Sequence, residues 1–522
     1  MNFLSRFAPS RLAPVVAATL LFGAPLTQAQ SLSTLMFFNA TSPGGGIALG
    51  SDGKLYGFGN TSQAVYNVGA DAGLIYRVAT DASTVETVYQ YGQAYDASNR
   101  KIYEGATPVG EPLLASNGSF YGMTAYREVV SAGGYAAGSG GATLFRYGAG
   151  GYTRLRELAV STGITADGHP KNTEGVVDTR APNAGLIQGL DGFLYGVTNR
   201  GGPNGTGVVF KISTDGATFQ VVHSFAATDK DANGASIANS DGAPQFINAD
   251  GLYPQARLLQ ASNGDLYGVT LAGGANGTGV IFALAPDGAN FRVLHHFDVS
   301  PPTITDTADP NYGKPKTNAT GAYPSSGLVE ANGLLYGTAY TMGPSGLGVV
   351  FSVTPDGLGA INVVRAFTGS DSTSATIGAY PSGQLLLASD GNLVGVTNAG
   401  GASSAGTLYK LSLDGATHSV LVEFGATDLI KQFGPVSSNQ GVTPGFGVIQ
   451  APDGSYYGIT TSGGPYNQGT VFKYGAAVTQ QPQGTPVQYD GGGAIDAWLL
   501  FAMLSMLATL AMRRYLRPAN QP

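Results

Sequence analysis

The sequence predicts an all-β chain: a seven-bladed β-propeller of four-stranded antiparallel blades, closed by an N-terminal strand that completes the last blade. Three observations lead there. One unit recurs through the body of the chain. Each copy divides into four short apolar runs separated by Asn-Gly, Asp-Gly and Gly-Gly turns. The last copy is short of one run, and a spare run stands ahead of the first copy.

The repeat is clearest in two consecutive copies, Leu186 to Phe225 (LIQGLDGFLYGVTNRGGPNGTGVVFKISTDGATFQVVHSF) and Leu258 to Phe297 (LLQASNGDLYGVTLAGGANGTGVIFALAPDGANFRVLHHF). Its central mark is an aromatic-Gly pair. It stands at Tyr56-Gly57, Tyr121-Gly122, Tyr195-Gly196, Tyr267-Gly268, Tyr336-Gly337 and Tyr457-Gly458, with Val394-Gly395 as a degenerate copy. The marks lie 65, 74, 72, 69, 58 and 63 residues apart, which makes seven units. A self-similar period of this size signals a repeat architecture.

Within a unit the first strand is of LIQ type and ends at a turn such as Asp191-Gly192 or Asn263-Gly264. The second, of LYGVT type, ends at Gly-Gly. The third, of GTVFKIS type, ends at Asp215-Gly216 or Asp287-Gly288, and the fourth is of VVHSF type. Asn-Gly and Asp-Gly supply the positive φ that two-residue hairpins need, and β-branched and aromatic residues fill the runs between them. The body shows no sustained helical periodicity. Residues beyond a compact propeller repeat sit mainly between strand four of one unit and strand one of the next, as in the polar insert from Ala226 to Leu252.

The last unit has runs at Gly447 to Gln450, Tyr456 to Thr460 and Thr470 to Tyr474 and then leaves the repeat. Leu32 to Phe38 (LSTLMFF) has the look of the missing fourth strand. A strand borrowed from the other end of the chain would remove two open sheet edges at once. An open solenoid with exposed ends is the alternative.

LYGVTNRGGPNGTGVVFKISTDG and its copies resemble the Gloeo/Verruco (GloVer) tandem repeat over residues 45–475. The wider group is called choice-of-anchor proteins, because the same repeats occur with different C-terminal sorting tails. The resemblance implies an exported, surface-anchored repeat protein. It brings no established activity and no catalytic residues.

Composition agrees with short strands and tight turns. Of 522 residues 79 are Gly, charged residues are only 11 %, and 27 Tyr and 23 Phe make the chain too aromatic for a disordered one. The absence of Cys excludes a disulfide framework, a thiolate metal site and a Cys nucleophile.

Both ends read as addresses. Residues 1–29 resemble a secretory signal peptide: Arg6 and Arg11, an apolar run from Leu12 to Phe22, and small residues suited to cleavage after Ala29. The repeat body takes residues 30–475, and a Pro/Gln/Gly-rich spacer takes 476–493. Residues 494–522 form a C-terminal transmembrane sorting or anchor segment, with an apolar run from Ala497 to Met512. Gly491, Gly492 and Gly493 precede that run, and Arg513, Arg514 and Arg517 close it. This tripartite tail resembles the GlyGly-CTERM sorting signal of Gram-negative bacteria. The resemblance implies a rhomboid-type protease as partner, cleavage near the glycines and delivery to the cell envelope or outer surface. Asp496 departs from a clean apolar run, and a plain membrane anchor is the competing reading. With both ends set aside, the body carries 21 basic and 32 acidic residues, a net charge near −11. Nucleic acid is a poor partner for such a surface.

Signals for chemistry are few. No HExxH, GxSxG or P-loop pattern occurs. His223, His295 and His296 fall in fourth strands, just before the closing Phe, and read as strand residues on an outer surface. Asp229, Asp231 and Asn233 follow the D-x-D-x-N-G phase of a calcium loop, in which alternating oxygens wrap a hard cation; no helix flanks them, and the competing reading is an ordinary polar loop. Tyr253, Tyr323 and Tyr380 recur in Gly-x-Tyr-Pro, with Gly441-Val-Thr443-Pro444 as a variant. Just before first strands they would share one face of the disc, where tyrosine rings stack on sugars. The competing reading is structural, with Pro fixing the start of the strand and Tyr covering a seam. The function expected is a non-enzymatic binding or adhesion module at the cell envelope, for a glycan or protein ligand. A polysaccharide hydrolase or lyase on a propeller scaffold and a purely structural surface component are the alternatives. No cofactor is expected other than calcium, and one titration separates the two loop readings. A rise in Tm with calcium that Asp229→Ala abolishes marks a site; an unchanged Tm marks a polar loop.

Overall fold

The computed structural model describes residues 30–484 apart from residues 40, 62–72, 92–105, 126–129, 132–133, 136–141, 160–161, 166–169, 176–184, 230–236, 238–245, 302–308, 310–314, 369–376, 426–440, 479 and 481. Among the described residues all regular structure is β-strand. The fold is all-β and propeller-like, built from successive four-stranded antiparallel sheets in which each unit supplies neighbouring strands in chain order.

The third unit shows the pattern. Ile187–Gln188, Leu194–Thr198, Val208–Ile212 and Phe219–Ser224 pair in that order, all antiparallel. The first, second and fifth units form separate four-stranded sheets of the same order, and the fourth forms a five-stranded one because its first strand is broken in two. The sixth and last units share a nine-stranded sheet. Its two antiparallel halves meet through a single parallel bridge between Gln384 and Gly447. In the last half, Thr470–Ala476 pairs antiparallel with Gln30–Phe37, so the N-terminal strand occupies the fourth place, from Gln30 opposite Ala476 to Phe37 opposite Thr470. Gln483–Gly484 then runs parallel to Met36 and Phe37 on the outer edge.

First strands are longer than the sequence implied. Ala379–Leu387 and Val442–Gln450 take in the Tyr-Pro and Thr-Pro pairs, with a register break in the middle of each ladder. In these two units the Pro lies inside the strand, and a bulge lets the ladder resume past it; in the fourth unit Tyr253 and Pro254 stand in a short strand of their own, and in the fifth Tyr323 precedes the first strand, Val329–Ala331. Because strands alternate in direction, the Asp-Gly and Asn-Gly hairpins share one face. The Gly-Gly turns and the long connections between units share the other.

The aromatic-Gly mark has a packing cause. An aromatic ring of strand three lies across the Gly of strand two in every unit: Tyr76 over Gly57, Phe145 over Gly122, Phe210 over Gly196, Phe282 over Gly268, Phe351 over Gly337, Tyr409 over Gly395 and Phe472 over Gly458. A Cβ on Gly196 would stand 2.6 Å from the Phe210 ring and 2.7 Å from Leu186. The Tyr of the mark works between units. Tyr121 and Tyr267 donate their hydroxyls to the carbonyls of Thr214 and Pro355, in the hairpin of the next unit; the Tyr195 hydroxyl donates to Asp191 at 2.7 Å and lies 3.3 Å from the Pro286 carbonyl of the next unit. The amides of Ser116, Leu190, Ser262 and Ser389, in first hairpins, donate to Gln188, Gln260, Glu330 and Gln450 of the following unit.

Apolar cores lie between neighbouring sheets. Phe225 of the third unit shares one core with Phe282 of the fourth, and Phe297 of the fourth shares the next with Phe351 of the fifth. One core joins Leu35, Met36 and Phe38 of the N-terminal strand to Leu55 and Tyr76 of the first unit and to Tyr457 and Val471 of the last. Outer strands stack across the seams: Tyr89 lies flat on Tyr152 at 4.3 Å, Arg156 sits over Phe219 at 4.3 Å, and His223 lies flat on Phe291 at 3.7 Å. His223 is thus a seam residue, while His295 meets Phe297 and His296 accepts from the Ala275 amide within their own unit.

Gly196→Ala is expected to cost about 1–3 kcal/mol of stability, the usual range for an extra methyl in a full site. Adding Phe210→Leu removes the ring the methyl strikes, so in urea titrations the two changes are expected to be non-additive.

Candidate ligand face

The Gly-x-Tyr-Pro residues hold one unit to the unit before it. Tyr253, Tyr323, Tyr380 and Thr443 all take positive φ, between 57° and 59°. Each turns its amide onto a carbonyl of the preceding unit: Tyr253 to Thr206 (3.1 Å), Tyr323 to Thr278 (2.9 Å), Tyr380 to Leu347 (2.8 Å) and Thr443 to Ala405 (2.8 Å). The Pro that follows rests on a glycine of that same turn. A Cβ on Gly207, Gly279, Gly348 or Gly406 would stand 2.8, 2.8, 2.5 or 2.7 Å from Cδ of Pro254, Pro324, Pro381 or Pro444. Left-handed backbone is costly for a residue with a side chain and persists where surrounding contacts enforce it. The structural reading of the motif therefore accounts for its backbone.

The three tyrosine rings have different surroundings. All are half-buried, at the end of the sheets that carries the Gly-Gly turns. The Arg200 guanidinium lies 5.3 Å above the Tyr253 ring. Burial raises the Tyr323 hydroxyl above its ordinary pKa. Tyr380 has an aromatic neighbour, Tyr340, at 5.5 Å and 31°. The Tyr340 hydroxyl accepts from Asn398 Nδ2 at 3.3 Å, and Asn398 Oδ1 accepts from Ser382 at 2.7 Å.

Where first strands of neighbouring units approach, small residues leave little room. Gly45 abuts Gly110, and Gly383 abuts Gly447. Glu111 reaches past Gly185 of the third unit to Arg257 of the fourth, with Nη1 3.0 Å from Oε2. Burial pushes the Glu111 pKa up while the Arg257 charge pulls it down, and burial prevails. Gln384 donates to the Leu328 carbonyl at 3.1 Å. The described first strands carry two carboxylates: Glu111, which Arg257 pairs, and Glu330, which accepts from the Ser262 amide and hydroxyl.

Three buried or half-buried asparagines that the sequence reading missed shape the long-connection face. Asn248 Oδ1 accepts from the amides of Gly251 (2.9 Å) and Gly274 (3.0 Å), while its Nδ2 donates to the carbonyls of Gly251 (2.8 Å) and Ala226 (3.0 Å). Asn172 makes the same set with Gly175, Gly202 and Ala159, and Asn318 with Gly321, Gly343 and Asp298. Each knots the start of a first strand to a Gly-Gly turn or its counterpart. The signal was there: NTEG, NADG and NATG repeat Asn three places before Gly.

Other expected residues are scattered. His223 Nε2 lies 3.0 Å from Asp250, whose carboxylate also accepts from the Ala226 amide, so the pair closes a connection. Asp229 is exposed, and its amide bonds to Ile247; Asp231 and Asn233 lie outside the described residues. Among the described residues no group of three His, Asp or Glu converges as metal ligands. The signal segment 1–29 and the sorting residues Gly491, Gly492, Gly493, Arg513 and Arg514 also lie outside the described residues. Among the described residues no helix is long and apolar enough to cross a membrane.

These repeated seams define a tandem-repeat β-protein of propeller-like build. The model of the Gloeobacter/Verrucomicrobia repeat matches residues 24–244, 240–375 and 311–441, most of the chain, and the chain belongs to that family. No curated protein matches it in sequence. Solved structures similar to it include a catalytically inactive virginiamycin B lyase from Staphylococcus aureus, 12 % identical with a TM-score of 0.44, covering 86 % of this chain and 99 % of that one. Another is the extracellular domain of a hybrid two-component system from B. thetaiotaomicron, 10 % identical with a TM-score of 0.40, covering 85 % of this chain and 39 % of that one.

Half-buried histidines make the fold sensitive to acid. Burial lowers the pKa of His295 and His296, and burial together with the Arg365 charge brings His418 to about 4. In the unfolded chain they titrate near ~6.5. Below that pH the unfolded chain takes up protons that the folded one refuses, so stability falls as pH drops from ~6.5 toward the folded values. Glu111, its folded pKa raised, acts in the opposite sense but is one group against three. Tm is expected to fall between pH 7 and pH 5, and His418→Phe is expected to lessen that fall.

Proposed function

We propose that this chain is an exported binding module of the Gram-negative cell envelope: a seven-bladed propeller, closed by its N-terminal strand, that displays its long-connection face to a ligand. The observation that carries the reading is the place of Gln30. This residue, which follows the expected cleavage point, pairs with Ala476 in the N-terminal strand. Removal of residues 1–29 would leave a mature chain whose first residue is already in the sheet. Closure is supported by the core that Leu35, Met36 and Phe38 share with the first and last units. It is supported also by the edge-to-face contact of Phe38 with Tyr76 at 5.6 Å. A sheet without this strand would expose an unpaired edge.

The binding reading is favoured over an enzyme by the use made of polar groups. Glu111 is held by Arg257, and the turn aspartates hold their own hairpins, as Asp215 does with the Ala217 amide and Asp356 with the Leu358 amide. Acid–base chemistry needs a carboxylate that reaches substrate. A tail of GlyGly-CTERM type, cut by a rhomboid-type protease, would deliver the module to the envelope.

Fractionation of producing cells with intact-mass analysis tests the location. The expected product starts at Gln30, ends near Gly491 and partitions with the envelope or the medium. A cytoplasmic product that retains residues 1–29 would sink the reading. For closure, deletion of residues 31–38 is expected to lower Tm sharply; an unchanged Tm would leave the ring open.

A further inference from the structure

We propose that the seam between the fifth and sixth units carries a binding site for a neutral saccharide, formed by Tyr340, Tyr380 and Asn398. The proposal rests on the binding-module reading and names the ligand class. Its starting point is the contrast between positions that keep one residue type in every unit and one that varies. The residue three places after the Gly of the aromatic-Gly mark lies at the end of strand two, on the long-connection face. The units place there Asn60, Ala125, Asn199, Leu271, Tyr340, Asn398 and Thr461. The glycine under each ring and the strand-three ring that covers it recur from unit to unit. At this position Asn recurs in three units, at 60, 199 and 398, the others carry Ala, Leu, Tyr and Thr, and the fifth unit alone places an aromatic ring there.

Tyr340 and Asn398 occupy that position in adjacent units, and the bond from Asn398 Nδ2 to the Tyr340 hydroxyl, 3.3 Å, crosses the seam. Ser382 is buried, and its hydroxyl fixes the amide from the other side at 2.7 Å. Tyr380 is pinned by its amide bond to Leu347 and by Pro381 on Gly348, so its ring meets Tyr340 at 5.5 Å without freedom of the backbone. Both rings and the amide are half-buried, which leaves surface for a ligand. The pair presents aromatic faces beside one amide and one phenol.

That is the chemistry a pyranose takes. Its C–H face lies on a ring, and its hydroxyls exchange hydrogen bonds with the amide and the phenol. The site is fixed before the ligand arrives, which reduces the entropy lost on binding. Among the described residues no charged side chain bonds to Tyr340, Tyr380, Asn398 or Ser382, so the site suits an uncharged sugar. The neighbouring seams differ. Arg200 lies over the ring of Tyr253, and the unit before Tyr323 offers Leu271 where Tyr340 stands.

Isothermal titration of the protein recovered from producing cells tests the site. The probes are three neutral tetrasaccharides, cellotetraose, maltotetraose and chitotetraose, with a polygalacturonate oligomer as the charged comparison. At least one neutral probe is expected to bind. Tyr340→Ala and Asn398→Ala are each expected to weaken it about tenfold, equal to about 1.4 kcal/mol, with Tm within the range of the parent. Tyr340→Phe keeps the ring, removes the hydroxyl and is expected to weaken binding less than Tyr340→Ala. Tyr253→Phe is expected to leave it unchanged. Binding of none of the neutral probes, binding that survives both alanine changes, or preference for the charged oligomer would overturn the site. Each of these outcomes leaves the envelope location standing, because that is read from mass and fractionation.

Discussion

Everything in this fold depends on how closely one unit's first strand can approach the turn of the unit before it. The Pro ring of each of these Tyr-Pro or Thr-Pro pairs lies on a glycine, and the preceding residue turns its amide onto the carbonyl of the residue just before that glycine. Neither contact tolerates a Cβ at the glycine. Gly207 at φ 105° also faces the Thr198 carbonyl, so bulk there would strain the backbone and push the units apart. A small rotation at each seam would add up around a repeat array, so tight seams set the relative angle of the sheets.

The seams combine apolar area with short polar contacts placed at both ends of the sheets. On the hairpin face, Tyr195 reaches the Pro286 carbonyl and Gln260 takes the Leu190 amide. On the other face, the Asn248 type of knot ties a long connection to the turn beside it. Between them lie cores such as the one shared by Phe225 and Phe282, which meet edge to face at 5.3 Å. Buried polar atoms are costly when unpaired, so bonds that satisfy them also select a single seam geometry.

Much of this was legible in the residues because glycine, turn pairs and aromatics leave local marks. Asp191-Gly192 announced a hairpin, and the aromatic-Gly mark announced strand two, although its cause, the Phe210 ring lying across Gly196, belongs to packing and not to local preference. The pairing of Leu32 to Phe38 with the last unit could be anticipated by counting strands. The extent of the first strands could not, because Pro381 and Pro444 read as breaks, while a bulge allows the ladder to continue past them. Asn172, Asn248 and Asn318 were overlooked because an asparagine in a polar insert resembles any other until its four bonds are seen. The Tyr340–Tyr380 contact joins residues of different units and has no signature in either segment alone.

The last described strand has a direction as well as a place. Gln483–Gly484 runs parallel to Met36 and Phe37, so the chain at Gly484 heads toward the face of the Gly-Gly turns and long connections. Were the C-terminal segment to anchor the chain as proposed, a tether leaving on this side would turn the Tyr340–Tyr380 pair toward the surface that holds it and leave the Asp-Gly hairpins looking outward. The molecule would then read the surface on which it stands before it reads the medium.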